Sequence, residues 1–178
     1  MPDPPLGIVS LADLKTLITE KPYGGGVFLF VHLLTGLTIA TKAKLILEIG
    51  TGWLVSTRAF IHGLNISDGK IISCDSVKRF KEFNHPRFTF INKTSSQLAK
   101  TWNKRIDILF IDADHSYNRV KFDYRIFSSF VVKNGLVILH DTNTPLYPGP
   151  KKVADEIKGL PKISSEQYPG ITIIQKVK

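Results

Sequence analysis

Two short stretches gather the residue types that do chemistry. Asp112, Asp114 and His115 stand within four positions, directly after the apolar run Ile106–Ile111. His140, Asp141 and Asn143 follow the apolar run Gly135–Leu139. Oxygen ligands of this kind hold hard divalent cations, and an imidazole beside a carboxylate can act as a general base. Each residue alone also has a structural reading. Asp114 or Ser116 can cap the helix that follows, and a lone His115 or His140 is more often a satisfied structural group. Gathered at the ends of two apolar runs, the group reads as a site.

Two further strand ends carry polar signals. In Glu48-Ile-Gly-Thr-Gly-Trp, glycines at 50 and 52 let the backbone turn sharply and approach a ligand. A dinucleotide fingerprint needs a third glycine where this chain has Val55, so a pyrophosphate cradle is disfavoured. Glu48 is placed to orient loop amides or a cationic group of a ligand. The second signal is Cys74-Asp75-Ser76. An acid about 20 residues beyond a glycine turn suits the two hydroxyls of a ribose. Its structural alternative is a cap.

These residues need elements to hold them. Ser10–Glu20 reads as a capped amphipathic helix, and Val27–Thr41 as a largely buried one. Leu45–Ile49, Lys70–Cys74, Phe88–Asn92, Ile106–Ile111, Gly135–Leu139 and Gly170–Val177 read as strands. Helices are expected at Leu54–Leu64, Ser95–Asn103, Asn118–Val131 and Val153–Leu160, with Thr144–Pro150 a proline-rich loop. Strands alternating with helices mean an α/β sheet covered on both faces. In such sheets ligands bind beyond the carboxyl ends of the strands, where the glycine turn, Asp75, Asp112, Asp114, His115, His140 and Asp141 fall.

Composition bounds the function. The chain has 178 residues, 43% hydrophobic and 22% charged, with a single cysteine, Cys74. That suits one globular domain in a reducing compartment and excludes a disulfide framework. The formal charge of +9 favours anionic partners, but the basic residues are scattered and few aromatics interleave with them, so a nucleic-acid footprint is disfavoured. Met1–Gly7 lacks the basic region of a secretion signal, and the expected location is the cytoplasm. Gly24–Thr41 carries no charged residue, but its apolar part is too short for a membrane span. The apolar Val27–Leu34 segment suits a core or a homodimer interface.

Together, Glu48-IGTGW, Asp75, Ile111-DADHSY and Leu139-HDT resemble the class I S-adenosylmethionine-dependent methyltransferases. They are most similar to the small O-methyltransferases of the catechol and caffeoyl-CoA type. The resemblance implies a Rossmann-like three-layer α/β sandwich, with a mostly parallel seven-stranded sheet and helices on both faces. It implies one methyltransferase domain over 1–178, with N-terminal helices in 1–43 and a cofactor-binding core in 44–178. Glu48, Gly50, Thr51 and Gly52 would hold the amino-acid part of S-adenosylmethionine, and Asp75 its ribose. Ser76 would lie beside the adenosine, Ser95 and Ser96 at the adenine edge, and Asp112 against the cofactor.

The implied reaction is in-line methyl transfer to a hydroxyl of a small-molecule acceptor. His115 stands where related enzymes carry a basic lysine, with His140 a second candidate base and Asp112 a catalytic neighbour. Asp112 and Asp141 match two ligands of a divalent cation such as Mg2+. Position 142, an asparagine ligand in the family, is Thr142 here, so metal-assisted and metal-free transfer both stay open. Two other functions fit the same motifs: an RNA methyltransferase, and a cofactor-binding protein without turnover. The acceptor wall is expected to draw on Tyr23, Phe28, His32, Trp53 and Tyr147.

Overall fold

The computed structural model describes residues 26–177. The helix expected at Ser10–Glu20, and Tyr23, lie outside the described residues. A 3-10 turn, Gly26–Phe30, leads into α1, Val31–Ala40. The elements then alternate: β1 Leu45–Ile49, α2 Val55–Ser67, β2 Lys70–Asp75, β3 Phe88–Asn92 and α3 Ser95–Ala99. After them come β4 Ile106–Ile111, α4 Tyr117–Phe127, β5 Val131–His140, α5 Pro148–Glu156, β6 Lys162–Ser164 and β7 Ile171–Gln175.

Several boundaries depart from the sequence expectation for local reasons. The buried N-terminal helix is 3-10 through Phe30 before it becomes α-helical. The helix after β4 ends at Phe127, passes through a 3-10 turn, and Val131 already belongs to β5. The proline-rich loop is shorter than expected because α5 begins at Pro148. A proline in a first helical turn loses nothing, since its missing N–H has no partner there. The strand β6 was not foreseen. It has only three residues, all exposed, and it pairs with β7 at the sheet edge, so it carries no apolar alternation.

The seven strands run in the order β3-β2-β1-β4-β5-β7-β6. The first five are parallel, while β7 pairs antiparallel with both β5 and β6. The order reverses between β1 and β4. Their crossovers leave in opposite directions and open a crevice at their carboxyl ends. The neighbouring placement of β4 and β5 brings the two acidic strand ends side by side.

Strand alternation divides the core in two. Leu47 and Ile49 of β1, Leu109 and Ile111 of β4, and Val137 and Leu139 of β5 face one side, under Val120 and Phe127 of α4. Ile46, Ile108, Phe110 and Ile138 face the other, under Leu34 of α1 and Phe60 and Leu64 of α2. Glu48 and His140 share the parity of this second set, which puts both side chains on the face of α1 and α2.

Phe110 is fully buried at the centre of that face, edge-on to Phe60 with ring centroids 5.4 Å apart. Phe110→Ala is expected to cost about 3–5 kcal/mol. Chemical denaturation measures this, and a midpoint within error of the parent would contradict the packing described.

Candidate functional site

A cavity of about 870 Å³ opens at the carboxyl ends of β1, β2, β4 and β5. Gly50, Thr51, Gly52, Asp75, Ser76, Ser95, Ser96, Asp112, His115, His140 and Asp141 all line it. The structure thus brings together every site residue expected from sequence except Glu48, which lies beneath the cavity. Of the expected acceptor wall, Trp53 and Tyr147 line the cavity, and Phe28 and His32 do not. Leu146 and Tyr168 line it too. Nothing in their local sequence marked them, because loops fold them in from distant positions.

The glycine turn is set by sterics. Gly50 has φ +100°, and a Cβ there would come within 2.1 Å of the Asp112 carbonyl oxygen. The backbones of β1 and β4 therefore close on each other only through glycine. Gly50 N donates to the Cys74 carbonyl at 2.8 Å, and Asp112 N donates to the Ile49 carbonyl at 2.8 Å. The loop is then clamped by Asp75, whose carboxylate accepts from the amides of Thr51 at 3.1 Å and Gly52 at 3.2 Å.

Glu48 supports this loop from below. It is fully buried, and its carboxylate accepts from the hydroxyls of Ser56, Thr57 and Ser73. Thr51 and Ser73 share a hydroxyl contact at 2.6 Å, which links Glu48 to the turn. Burial pushes the Glu48 carboxyl up to about 7 against the three hydroxyls, which favour the charged form.

At the β4 and β5 ends, two carboxylates meet two imidazoles. His115 Nε2 lies 2.7 Å from Asp141 Oδ2 and 3.4 Å from Asp112 Oδ1. His140 Nδ1 lies 3.1 Å from Asp112 Oδ1 and 3.3 Å from Asp141 Oδ2. Asp141 reaches this position from a left-handed backbone, φ 55°, a conformation aspartate tolerates. His115 is partly exposed and stacks on Tyr147, ring centroids 4.3 Å apart. His140 is buried, 2% exposed, with Phe30 edge-on to its ring.

The electrostatics follow. Hydrogen bonds that His115 donates to the carboxylates of Asp112 and Asp141 push it up to about 9. Burial opposes charge on His140, but the same two carboxylates outweigh it and carry it up to about 10. An imidazole expected to titrate near neutrality is therefore a cation there. Asp112, His115 and Asp141 can also each offer a ligand atom within 4.8 Å of the others. Thr142 turns away to accept from the Thr172 hydroxyl, and Asn143 donates to the Glu166 carbonyl. His115, not position 142 or 143, is thus the third potential ligand.

The far wall holds two groups that sequence reasoning passed over. Arg119 of α4 donates to Ser96 Oγ at 2.9 Å and Ser95 Oγ at 3.0 Å. Asp123 of α4 lines the cavity and is 1% exposed. The signal was present in the chain. Asp123 stands three residues after Val120 and four before Phe127, on the buried stripe of the helix.

A family profile described as a methyltransferase domain matches residues 47–142, more than half of the chain. The chain belongs to this methyltransferase family. The match runs past both Glu48 and Asp141, and so contains every catalytic, cofactor and metal residue expected from the motifs. Searched by sequence, no curated protein matches this methyltransferase.

Solved structures repeat its fold. An O-methyltransferase from Bacillus cereus in complex with SAH is 16% identical, with a TM-score of 0.68 over 94% of this chain and 89% of that one. The SAH-bound methyltransferase PaMTH1 of Podospora anserina is 16% identical, TM-score 0.66, over 94% of this chain and 87% of that one. A proposed caffeoyl-CoA O-methyltransferase from Staphylococcus aureus is 20% identical, TM-score 0.65, over 93% and 90%. The Rossmann-like sandwich with a mostly parallel seven-stranded sheet, expected from the motifs, is the observed fold. Among the described residues no helix is long and apolar enough to cross a membrane.

Gly50→Ala tests the steric basis of the turn. Overpacking against Asp112, with strain at φ +100°, is expected to cost about 2–5 kcal/mol. A thermal midpoint equal to the parent's would rule out the close approach of β1 and β4.

Proposed function

We propose that this methyltransferase uses S-adenosylmethionine to methylate a hydroxyl of a small-molecule acceptor. One observation carries the reading: the glycine turn, Asp75 and the Asp112–His115–His140–Asp141 cluster share a single cavity. The similar structures bound to SAH add support from outside the chain. The cavity walls fit such a cofactor. The Gly50–Gly52 turn lines the cavity with backbone, and Asp75 presents a carboxylate at that turn.

In this reading Gly50, Thr51 and Gly52 hold the amino-acid end through backbone groups, with Glu48 stiffening them from beneath. Asp75 holds the ribose hydroxyls. Ser76 lies beside the adenosine, and Ser95 and Ser96 meet the adenine. Bound there, the cofactor supplies a methyl group already activated on a sulfonium. The protein's task is then alignment and proton removal.

His115 is the base. It is the partly exposed imidazole of the pair, and it faces both the cavity and Tyr147. His140 is a positioning residue, since it is buried and its Nδ1 is committed to the two carboxylates. Trp53, Tyr147 and Tyr168 keep about half their surface exposed at the cavity wall, which suits a planar hydroxylated ring as acceptor.

A divalent cation is the second arrangement that the donor set supports. Asp112, Asp141 and His115 would hold it, and it would supply Lewis acidity toward the acceptor oxygen. His115 Nε2 cannot then also be the base. EDTA separates the two arrangements, since transfer through a His115 base survives chelation and cation-assisted transfer does not.

Titration calorimetry with S-adenosylmethionine tests the function, and no heat at high micromolar cofactor would sink it. His115→Ala should keep cofactor affinity within about 3-fold. Its transfer to a catechol or phenol panel should fall by about 10²–10⁴. An unchanged rate would remove His115 from the mechanism.

The pH profile carries a sign. The base must be neutral, and its carboxylate partners hold it protonated, so the rate should rise with pH through about 9. A rate already flat from pH 6 upward would exclude His115 as the base.

A further inference from the structure

We infer that a second cavity, beside the first, binds a phosphate-bearing anion through Arg58, Lys78, Arg79 and Lys81. The site goes beyond the cofactor reading, and its test needs neither cofactor nor acceptor.

This cavity measures about 530 Å³ and adjoins the main one at Trp53 and Arg79, which line both. Its walls come from two places. Trp53 and Arg58 belong to the end of the glycine turn and the first turn of α2. Lys78 to Phe83 belong to the loop between β2 and β3. Four cations therefore line one concavity, against the single carboxylate of Glu82. The clustering is not legible in the chain, because Arg58 comes from a different element than the other three.

The loop's own sequence explains how it presents them. In Lys78-Arg79-Phe80-Lys81-Glu82-Phe83, phenylalanines are spaced among charged residues. Phe80 sits edge-on to Phe88 and Phe90 of β3, with ring centroids 6.1 Å and 5.0 Å away. Phe83 sits edge-on to Phe88 at 5.4 Å. These apolar contacts fasten the loop to the sheet edge and leave its cations exposed. The same rings steady two of the charges. The Arg58 guanidinium lies 5.5 Å from the Phe83 centroid, and Lys78 Nζ lies 5.3 Å from that of Phe80.

The deciding observation is that this charge is not neutralised. Among the described residues none of the four cations makes an ion pair. Other surface cations do: Arg87 with Asp68, Lys121 with Glu156 and Lys151 with Asp155. Like charges gathered in a concavity repel one another, and its walls focus their field on whatever enters. A bound anion relieves the repulsion. A lone carboxylate offers two oxygens and one charge. A phosphate or diphosphate offers more of both, and its oxygens match the forked donors of Arg58 and Arg79. A cavity of this volume takes a compact anion rather than an extended strand. The phosphate belongs either to the acceptor or to a separate small molecule, and the recognition chemistry is the same.

Calorimetry on the full chain at low salt tests the site, with inorganic diphosphate as the probe. The parent should bind it saturably below about 1 mM. Lys78→Met with Lys81→Met should weaken binding by at least about 10-fold. Arg58→Lys keeps the charge but loses the fork, and should weaken it several-fold. Lys100→Met with Lys104→Met removes the same charge elsewhere on the surface and should leave affinity within about 2-fold. All these side chains are exposed, and thermal melts check that each variant is folded. A parent that shows no saturable binding overturns the site. So does a control pair that weakens binding as much as the cavity pair, since diffuse charge would then account for it. A single-stranded RNA oligonucleotide that binds the parent more tightly than diphosphate, and loses that binding with Lys78 and Lys81, overturns the small-anion assignment. Transfer to a phenol carrying a phosphate ester separates the two sources. Diphosphate that raises its KM makes the phosphate part of the acceptor, and an unchanged KM makes it a separate ligand; both results uphold the site.

Discussion

The close approach of two parallel backbones at one glycine organises the molecule. β1 and β4 are neighbours, and their ends meet where Gly50 passes the Asp112 carbonyl. Because the strand order reverses there, nothing crosses over the gap, and a cavity opens. The hydrogen bonds from Gly50 to Cys74 and from Asp112 to Ile49 lock β2, β1 and β4 in register at this end. Asp75 can reach the glycine loop, and Asp112 can reach His140, only because that register is held. The same contact thus places both the Asp75 end and the acidic end of the cavity.

Charge is balanced locally around this point. Two carboxylates pair with His115 Nε2 and His140 Nδ1 at the ends of β4 and β5, and burial is tolerable because the charges pair, while the buried His140 Nε2 has no hydrogen-bond partner among the described residues. Both histidines hold their protons more tightly than in an unfolded chain. Their contribution to stability is complete below about 6.5 and is lost as pH rises through about 9 and 10. Glu48 works the other way in origin but with the same sign. Burial favours its neutral form, so folding loses stability as pH rises from the ordinary carboxylate range through about 7. The three hydroxyls around it limit that loss, and they join the turn to α2 and β2.

Much of this was legible in the chain. Short runs rich in apolar and β-branched residues read as strands, so β1, β2, β3 and β4 fell within a residue of their observed limits. Glycines in a turn after a strand, and acids after three others, carry position as well as type, which is why most expected site residues line one cavity. The misses share a cause. Exposed β6 has no apolar pattern. Arg119 and Asp123 sit inside a helix rather than at a strand end, and Asp123 was hidden in an otherwise apolar stripe. Tyr168 and Leu146 come from loops whose path depends on packing.

The sequence by itself determined the alternation of strands and helices, the glycine turn, and the acidic strand ends. These are set by local sterics and hydrophobic periodicity, which act over a few residues. The tertiary structure alone decided that Glu48 lies beneath the cavity within a hydroxyl cage rather than in its wall. It alone decided that His140 is enclosed while His115 faces the cavity, and that Asp123 joins the far wall. Burial and charge pairing depend on groups tens of residues apart, and only the packed sheet brings those groups within reach.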